Sequence, residues 1–587
     1  MTATDLPAWD LADLYPGPES PVLWADLDRV TVAAKAFRAA YEGRLAGLDG
    51  AGFGAAVGAY EAMQETLGRA VSYAQLYYAG DMESPASGRF HQTVQERATD
   101  ASSELVFFTL EINRLDEANL GAKLTAPATA RYAPWLRDLR AFRPHQLSDE
   151  TERVLHEKQP SGGAAWVRLF DETMAALRFP VDGRELTATD VFDLMSDRDG
   201  EVRRRAAEAI AGTLADHLRT FTLVTNTLAK DKQVEDRWRR FPRPVSARNL
   251  ANQVEDAVVD ALTAAVKADC PRLAHRYYRL KARWFGCERL DYWDRNAPLP
   301  EDETRPIPWA QARATVLDSY RAFSPELAEI GARFFERKWI DAAPRAGKAP
   351  GAFAHPTVPS SHPYLLLNYH GKPRDVMTLA HELGHGVHQV LAAPQGKLMA
   401  DTPLTLAETA SVFGEMLTFQ SLRAGESDPR RRRILVAAKV EEMLNTVVRQ
   451  VAFHEFETRL HDERRGGELS AERIGELWLE TQRRSLGPAI ELADAYRVYW
   501  AYIPHFVHTP FYVYAYAFGD CLVNSLYAVY RAGAPDFASR YLDLLRAGGT
   551  KRHKELLAPF GLDASDPAFW KRGLDVIADL IDELERE

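Results

Sequence analysis

The 587 residues carry 72 basic and 83 acidic side chains, a formal net charge of -11, with 46% hydrophobic and 26% charged positions. That balance excludes a disordered chain, and the acidic excess argues against a nucleic-acid binder, whose footprint would be basic. No apolar run reaches the length of about 18 residues that a membrane helix needs, and the opening MTATDLPAWDLADLYPG is no basic-then-apolar secretory leader, so a cytoplasmic chain with no membrane partner is expected.

The length exceeds one typical domain, which predicts two or more lobes or one large helical body. Residues 22–142, as in FGAAVGAYEAMQETLGRAVSYAQLYYAG, show helical spacing broken by short Gly or Pro turns and predict a bundle of antiparallel helices. In RFPVDGRELTAT, residues 178–189, an Asp-Gly turn between two β-prone runs predicts a small hairpin, read as a seam between lobes. Helical pattern then resumes. Cys270, Cys287 and Cys521 are too few and scattered for a disulfide framework and are expected to be buried thiols.

The stretch GKAPGAFAHPTVPSSHPYLLLNYHGK, residues 347–372, lacks helical character, and PYLLLNY within it predicts a buried strand feeding the next element. That element is TLAHELGHGVHQV, residues 378–390, flanked by apolar helix formers. On a helix His381 and His385 stand one turn apart on one face, as two imidazole ligands of a metal ion must, with Glu382 beside them. The spacing differs from HExxHxxGxxH, since His388 and Leu391 occupy the Gly and His positions. A third ligand is then expected from TPLTLAETASVFGEMLTF, residues 402–419, read as one helix offering Glu408 and Glu415 on roughly one face. Glu408 is the expected ligand, with Glu415 or Ser411 supporting a ligand histidine through its free ring nitrogen and His388 in a structural or supporting role. The basic run Arg430 to Arg433 reads as the solvated first turn of a helix.

The donor set His2Glu favours zinc, one ion per chain, with Glu382 as general base toward the attacking water and proton donor to the leaving amine. The oxyanion needs further donors, and YRVYWAYIPHFVHTPFYVYAYAFGD, residues 496–520, offers them: His505 first, then Tyr512, Tyr514 and Tyr516. A helical peptide-binding scaffold without catalysis, and an enzyme trimming dipeptides from one end, are the alternatives.

LLLNYHGKPRDVMTLAHELGHGVH, LAETASVFGE and IPHFVHTPFYVYAYAFG together resemble the M3 zinc metallopeptidases, within them the oligoendopeptidase F group, and WDLADLYPG and EKQPSGGAAWVRLFDE extend the likeness over most of the chain. The resemblance implies a mostly α, two-lobed, gluzincin-like body around a deep channel, a small β element beside the zinc helix, and cleavage inside short oligopeptides while folded proteins are spared. It implies a helical N-terminal region over 1–190 and a catalytic region over 191–587. Carried over by position, it puts the zinc ligands on His381, His385 and Glu408, the base on Glu382, and the substrate-binding His and Tyr within His505 to Tyr516, where His508 competes with His505. It also implies that an edge strand beside the zinc helix holds substrate backbone, a role PYLLLNY could fill, with Gly351, Ala352 and Phe353 flanking the groove. The sequence sets no oligomeric state.

Overall fold

The computed structural model describes residues 6–300 and 306–586. Helices dominate, and among the described residues strand is confined to seven segments of two or three residues, in line with the expected mostly α class. The helices begin where the sequence supplies caps: the Asp49 carboxylate accepts from the Gly52 amide at 2.7 Å and the Asp116 carboxylate from the Asn119 amide at 2.7 Å. No helix among them is long and apolar enough to cross a membrane.

The chain forms two compact units, each assembled from three stretches. The first joins Met1–Arg143, Thr304–Gly425 and Gly533–Gly561; the second joins Pro144–Glu303, Glu426–Ala532 and Leu562–Glu587. In the first unit the helices Pro21–Tyr41, Gly50–Gly80 and Pro85–Ser103 pack side by side over a core that includes Leu23, Leu27, Phe53 and Val57, as the bundle reading expects. Later in that unit three short strands, β1 (Ile340–Asp341), β2 (Phe353–His355) and β3 (Tyr364–Leu366), make one sheet in the order β1-β3-β2.

PYLLLNY therefore does form a buried strand, but not an edge. β3 lies in the middle, parallel to β1 and antiparallel to β2, with Ala354 opposite Leu365. Its apolar run is covered on both faces, as unbroken runs are, and the edges fall to β1, whose two residues are buried, and to β2, whose three residues are only half-buried. The Lys348 ammonium, fully buried, staples this sheet: it donates to the Asp341 carboxylate at 2.7 Å and to the carbonyls of Asp341, Ala343 and Leu367. Gly351, one turn before β2, has φ 77°, a left-handed value that glycine adopts without strain.

In the second unit Phe179–Val181 and Arg184–Leu186 pair as the expected hairpin, with Asp182 and Gly183 both at positive φ in its two-residue turn. The hairpin is not a seam. Both strands belong to one unit, packed on the helix Gly200–Asp216, and the division in this part of the chain falls between Arg143 and Pro144. Arg430 to Arg433 lie in the first turn of the helix Pro429–Leu444, whose Asp428 cap accepts from the Arg430 amide. Cys270 and Cys521 are buried, whereas Cys287, in the loop after the helix Ala274–Trp284, is exposed, contrary to expectation.

Candidate metal centre

The motif lies on the helix Pro373–Ala392 in the first unit. Pro373 opens it, and the Asp375 carboxylate accepts from the His370 and Lys372 amides, fixing its start just after β3. The helix needs small residues where its neighbours approach. A Cβ on Gly384 would stand 2.5 Å from the Ala410 carbonyl oxygen and 2.7 Å from the Ser411 Cα, and one on Gly386 would meet the Phe334 ring at 2.6 Å. The helix Thr409–Gly425 is thereby held against the motif helix, and the buried Tyr320 hydroxyl donates to the Ala380 carbonyl at 2.6 Å.

Residues 402–419 are not one helix. Leu404–Ala407 is a single turn, Thr409–Gly425 follows, and Glu408 sits at the break. One hydrogen bond holds that break: the Ser411 hydroxyl donates to Glu408 Oε2 at 2.6 Å, with the buried His388 lining a cavity beside Ala407. The turn brings Glu408 Oε2 to 3.3 Å from His381 Nε2 and 3.4 Å from His385 Nε2.

One nitrogen from each histidine and one Glu408 oxygen lie within 4.8 Å of one another. Ligand atoms about 2.0–2.2 Å from one tetrahedral ion stand roughly 3.3–3.5 Å apart, so the two histidine–glutamate separations suit a zinc ion and the donor types match it. Glu415 approaches the other side of His381, its Oε2 3.1 Å from Nδ1, which leaves Nε2 for a metal. Of the two supporting residues expected from the sequence, Glu415 meets a ring nitrogen and Ser411 meets the Glu408 carboxylate instead.

Electrostatics follow the geometry. Burial alone would lower the His381 pKa and raise that of Glu408, but their mutual contacts, with His385 and Glu415, more than offset it; His381 is held well above and Glu408 well below the ordinary value. Glu382, on the neighbouring face and 8% exposed, is pushed up by burial, partly countered by the two histidines beside it. Burial lowers His388 to about 4, so its ring is neutral near pH 7. A cavity of about 270 Å³ opens beside His385 and His388, lined also by Pro356, Thr402 and Ala407.

The expected His/Tyr segment belongs to the second unit. A short helix, His505–His508, is followed by a turn and the helix Tyr514–Arg531. His505 Nε2 lies 3.3 Å from the Tyr516 hydroxyl, the His505 and Tyr512 rings stack at 5.9 Å, and Tyr512 meets Tyr516 edge-on at 5.1 Å. His508 turns elsewhere, to Asp171 at 2.7 Å. Tyr514 points inward, fully buried, its hydroxyl accepting from the Asn252 amide at 2.8 Å, so it does not share the His505 cluster. Sequence reasoning missed the Tyr320 hydroxyl and the hydroxyl of Tyr541, which donates to the Thr409 carbonyl at 2.7 Å; each is a long-range contact with no local signal.

A helical body carrying HExxH on one helix and a carboxylate at the head of the next defines a metallopeptidase. Comparison with known proteins agrees and narrows the class. The profile described as "Peptidase family M3" matches residues 193–576, and one described as "Oligopeptidase F" matches 111–179. The chain belongs to peptidase family M3. Among its relatives, oligopeptidase PepF of Bacillus subtilis is 26% identical, covering 98% of this chain and 86% of the relative, and an oligoendopeptidase F homolog of Borreliella burgdorferi is 24% identical over 98% of each. Among solved structures, a putative peptidase from Chlamydophila abortus superposes with a TM-score of 0.87 at 23% identity, covering 100% of this chain and 98% of the other. An oligoendopeptidase-F from Enterococcus faecium does so with 0.71 at 21%, over 96% and 97%. These superpositions establish the fold.

Proposed function

We propose that this chain is a zinc-dependent endopeptidase that hydrolyses internal bonds of short oligopeptides and spares folded proteins. The observation that carries the reading is the convergence of His381, His385 and Glu408, with Glu382 on the same helix. The names of the relatives, oligopeptidase and oligoendopeptidase, support the substrate class. The two profile matches, ending at 179 and starting at 193, support a helical N-terminal region over 1–190 and a catalytic region over 191–587. A cytoplasmic setting, with one zinc per chain and no nucleic-acid or membrane partner, completes the reading.

His381, His385 and Glu408 would hold the zinc, which when bound supplies Lewis acidity toward the scissile carbonyl and lowers the pKa of water toward about 7. Glu382 takes the proton of the attacking water at its carboxylate and passes it to the departing amine. Burial raises its proton affinity for that exchange. Glu415 keeps Nδ1 of His381 occupied, Ser411 orients Glu408, and His388 packs as a buried neutral ring one turn beyond His385. β2, the half-buried one of the two edge strands, pairs with extended substrate backbone, and Gly351, Ala352 and Phe353 flank that path. His505, Tyr512 and Tyr516 donate to the substrate carbonyl and neighbouring backbone; Tyr514 holds the segment in place from within.

Mass spectrometry of products from graded unstructured peptides and one folded protein tests this, comparing wild type with Glu382→Gln, both zinc-loaded. Internal cuts in the short peptides, abolished in the variant and absent for the folded protein, are expected. Products all two residues long would shift the reading to trimming from an end, and uncut peptides with both proteins would refute peptidase action.

A further inference from the structure

The turn between His505–His508 and Tyr514–Arg531 contains a residue in an unfavourable backbone conformation. Phe511 has φ 61°, in the left-handed region, although it is neither glycine nor asparagine and its ring is fully buried. A bulky residue stays there only where its surroundings hold it. The surroundings here are specific. Glu457, on the helix Gln450–Arg464 and 2% exposed, accepts the Phe511 amide at Oε1, 2.8 Å away. The Arg248 guanidinium donates to the preceding carbonyl, that of Pro510, at 3.3 Å, and the rings of His454 and His461 pack against Phe511 at 5.9 and 5.0 Å.

Glu457 is an expensive residue to bury for fold alone. Its second oxygen, Oε2, meets no protein partner, and burial raises its pKa to about 8 against the opposing pull of the Phe511 amide, Arg248 and Lys232. A leucine would fill the same space without that penalty. The carboxyl does supply one thing an apolar side chain lacks: an acceptor for an amide that the left-handed turn points into the core.

We propose that Glu457 is a positioning residue for the peptidase site, holding Phe511 left-handed so that Tyr512 and Tyr516 close against His505. The inference rests on the reading of His505, Tyr512 and Tyr516 as substrate-contacting groups. The helix His505–His508 ends before Thr509 and the next begins at Tyr514, and Tyr512 is bonded directly to the residue Glu457 grips, so releasing the Phe511 amide rotates the Tyr512 backbone first. The neighbouring Tyr514 stays anchored by Asn252, which confines the disturbance to the face carrying His505 and Tyr512.

The test compares wild type, Glu457→Gln and Glu457→Met, all zinc-loaded, on a quenched oligopeptide, reading kcat, KM, zinc content and the unfolding midpoint, with kcat measured well below every midpoint. Glutamine keeps the acceptor and should retain kcat. Methionine keeps the bulk without it, and kcat should fall by roughly a hundredfold, the scale of an approximately 1 Å misplacement, with KM and zinc content little changed. If Glu457→Met does not fold, Glu457→Asp shortens the reach by one methylene and should show the same kcat-selective loss. Full kcat in Glu457→Met or Glu457→Asp with only a lower midpoint would make the residue merely structural, and an equal loss in Glu457→Gln would refute the acceptor role. Either result overturns the inference while wild-type cleavage upholds the peptidase reading; if the wild type leaves the peptide whole, reading and inference fall together.

Discussion

Replacing Gly384 by alanine should weaken zinc binding without touching any ligand. The added methyl would lie 2.5 Å from the Ala410 carbonyl oxygen, short of the 3.4 Å of an ordinary contact by about 0.9 Å, and all three nearest neighbours are backbone atoms that cannot rotate aside. The helix Thr409–Gly425 must therefore retreat by most of an ångström and carry Glu408, joined to its first residue, with it. Separations of 3.3 and 3.4 Å from Glu408 to the two histidines then open beyond what one tetrahedral ion spans. Disturbances of this kind typically reduce metal affinity by roughly ten- to a hundredfold. Overpacking of about 1–3 kcal/mol is set against a helix-propensity gain of about 1 kcal/mol, so the metal-free protein loses at most about 2 kcal/mol. Zinc titration against a competing chelator, with unfolding of the metal-free form, measures both. Gly212→Ala is the control: its methyl would meet nothing within 4 Å, and it should stabilise slightly with unchanged zinc affinity. A Gly384→Ala protein that binds zinc as tightly as wild type and is more stable would refute the reasoning.

Glu415→Gln keeps an acceptor near His381 Nδ1 but removes the charge, and zinc affinity should drop roughly tenfold in the same titration, with the fold intact. Lys348→Met leaves the buried Asp341 with Arg345 as its remaining cation, so chemical denaturation should show a loss at the low end of the range for broken buried pairs, about 3 kcal/mol. The second unit should be most stable near pH 6.5. His454 and His461, lowered by burial to about 4 and about 3, refuse protons that the unfolded chain accepts, so stability falls as pH drops below 6.5. Glu457, raised to about 8, keeps a proton that the unfolded chain releases, so stability also falls as pH rises from 6.5 to 8, by about 2 kcal/mol, a slope that Glu457→Gln should flatten in pH-dependent unfolding.

What the sequence made legible was local. His381, His385 and Glu382 are related by one helical turn, and any helix through apolar flanks fixes their relation. Glu408 could be picked by residue type, yet TPLTLAETASVFGEM reads as one continuous helix; the break at Glu408 sits where the segment packs against the Gly384 position of the motif helix, a contact that no pattern within the segment encodes. PYLLLNY announced a buried strand but not its place in the middle of the sheet, since strand order follows from pairing with residues 340–341 and 353–355. Tyr512, Tyr514 and Tyr516 alternate in sequence, but the positive φ at Phe511 and the Asn252 contact send Tyr514 inward, away from His505. Two lobes were expected from length and resemblance, but which residues make up each unit was beyond sequence reading because each gathers three separated stretches through long-range packing.

That interleaving bears on how the protein is made. The helix Phe537–Arg546 packs against the motif helix and supplies the Tyr541 hydroxyl that holds the Thr409 carbonyl, next to Glu408. A ribosome that has translated the motif and Glu408 has still to produce more than a hundred residues before this last support emerges. During that interval the histidines and glutamate exist without their full scaffold. The order of synthesis thus makes the two histidines and the glutamate first and the Tyr541 support for their arrangement afterwards.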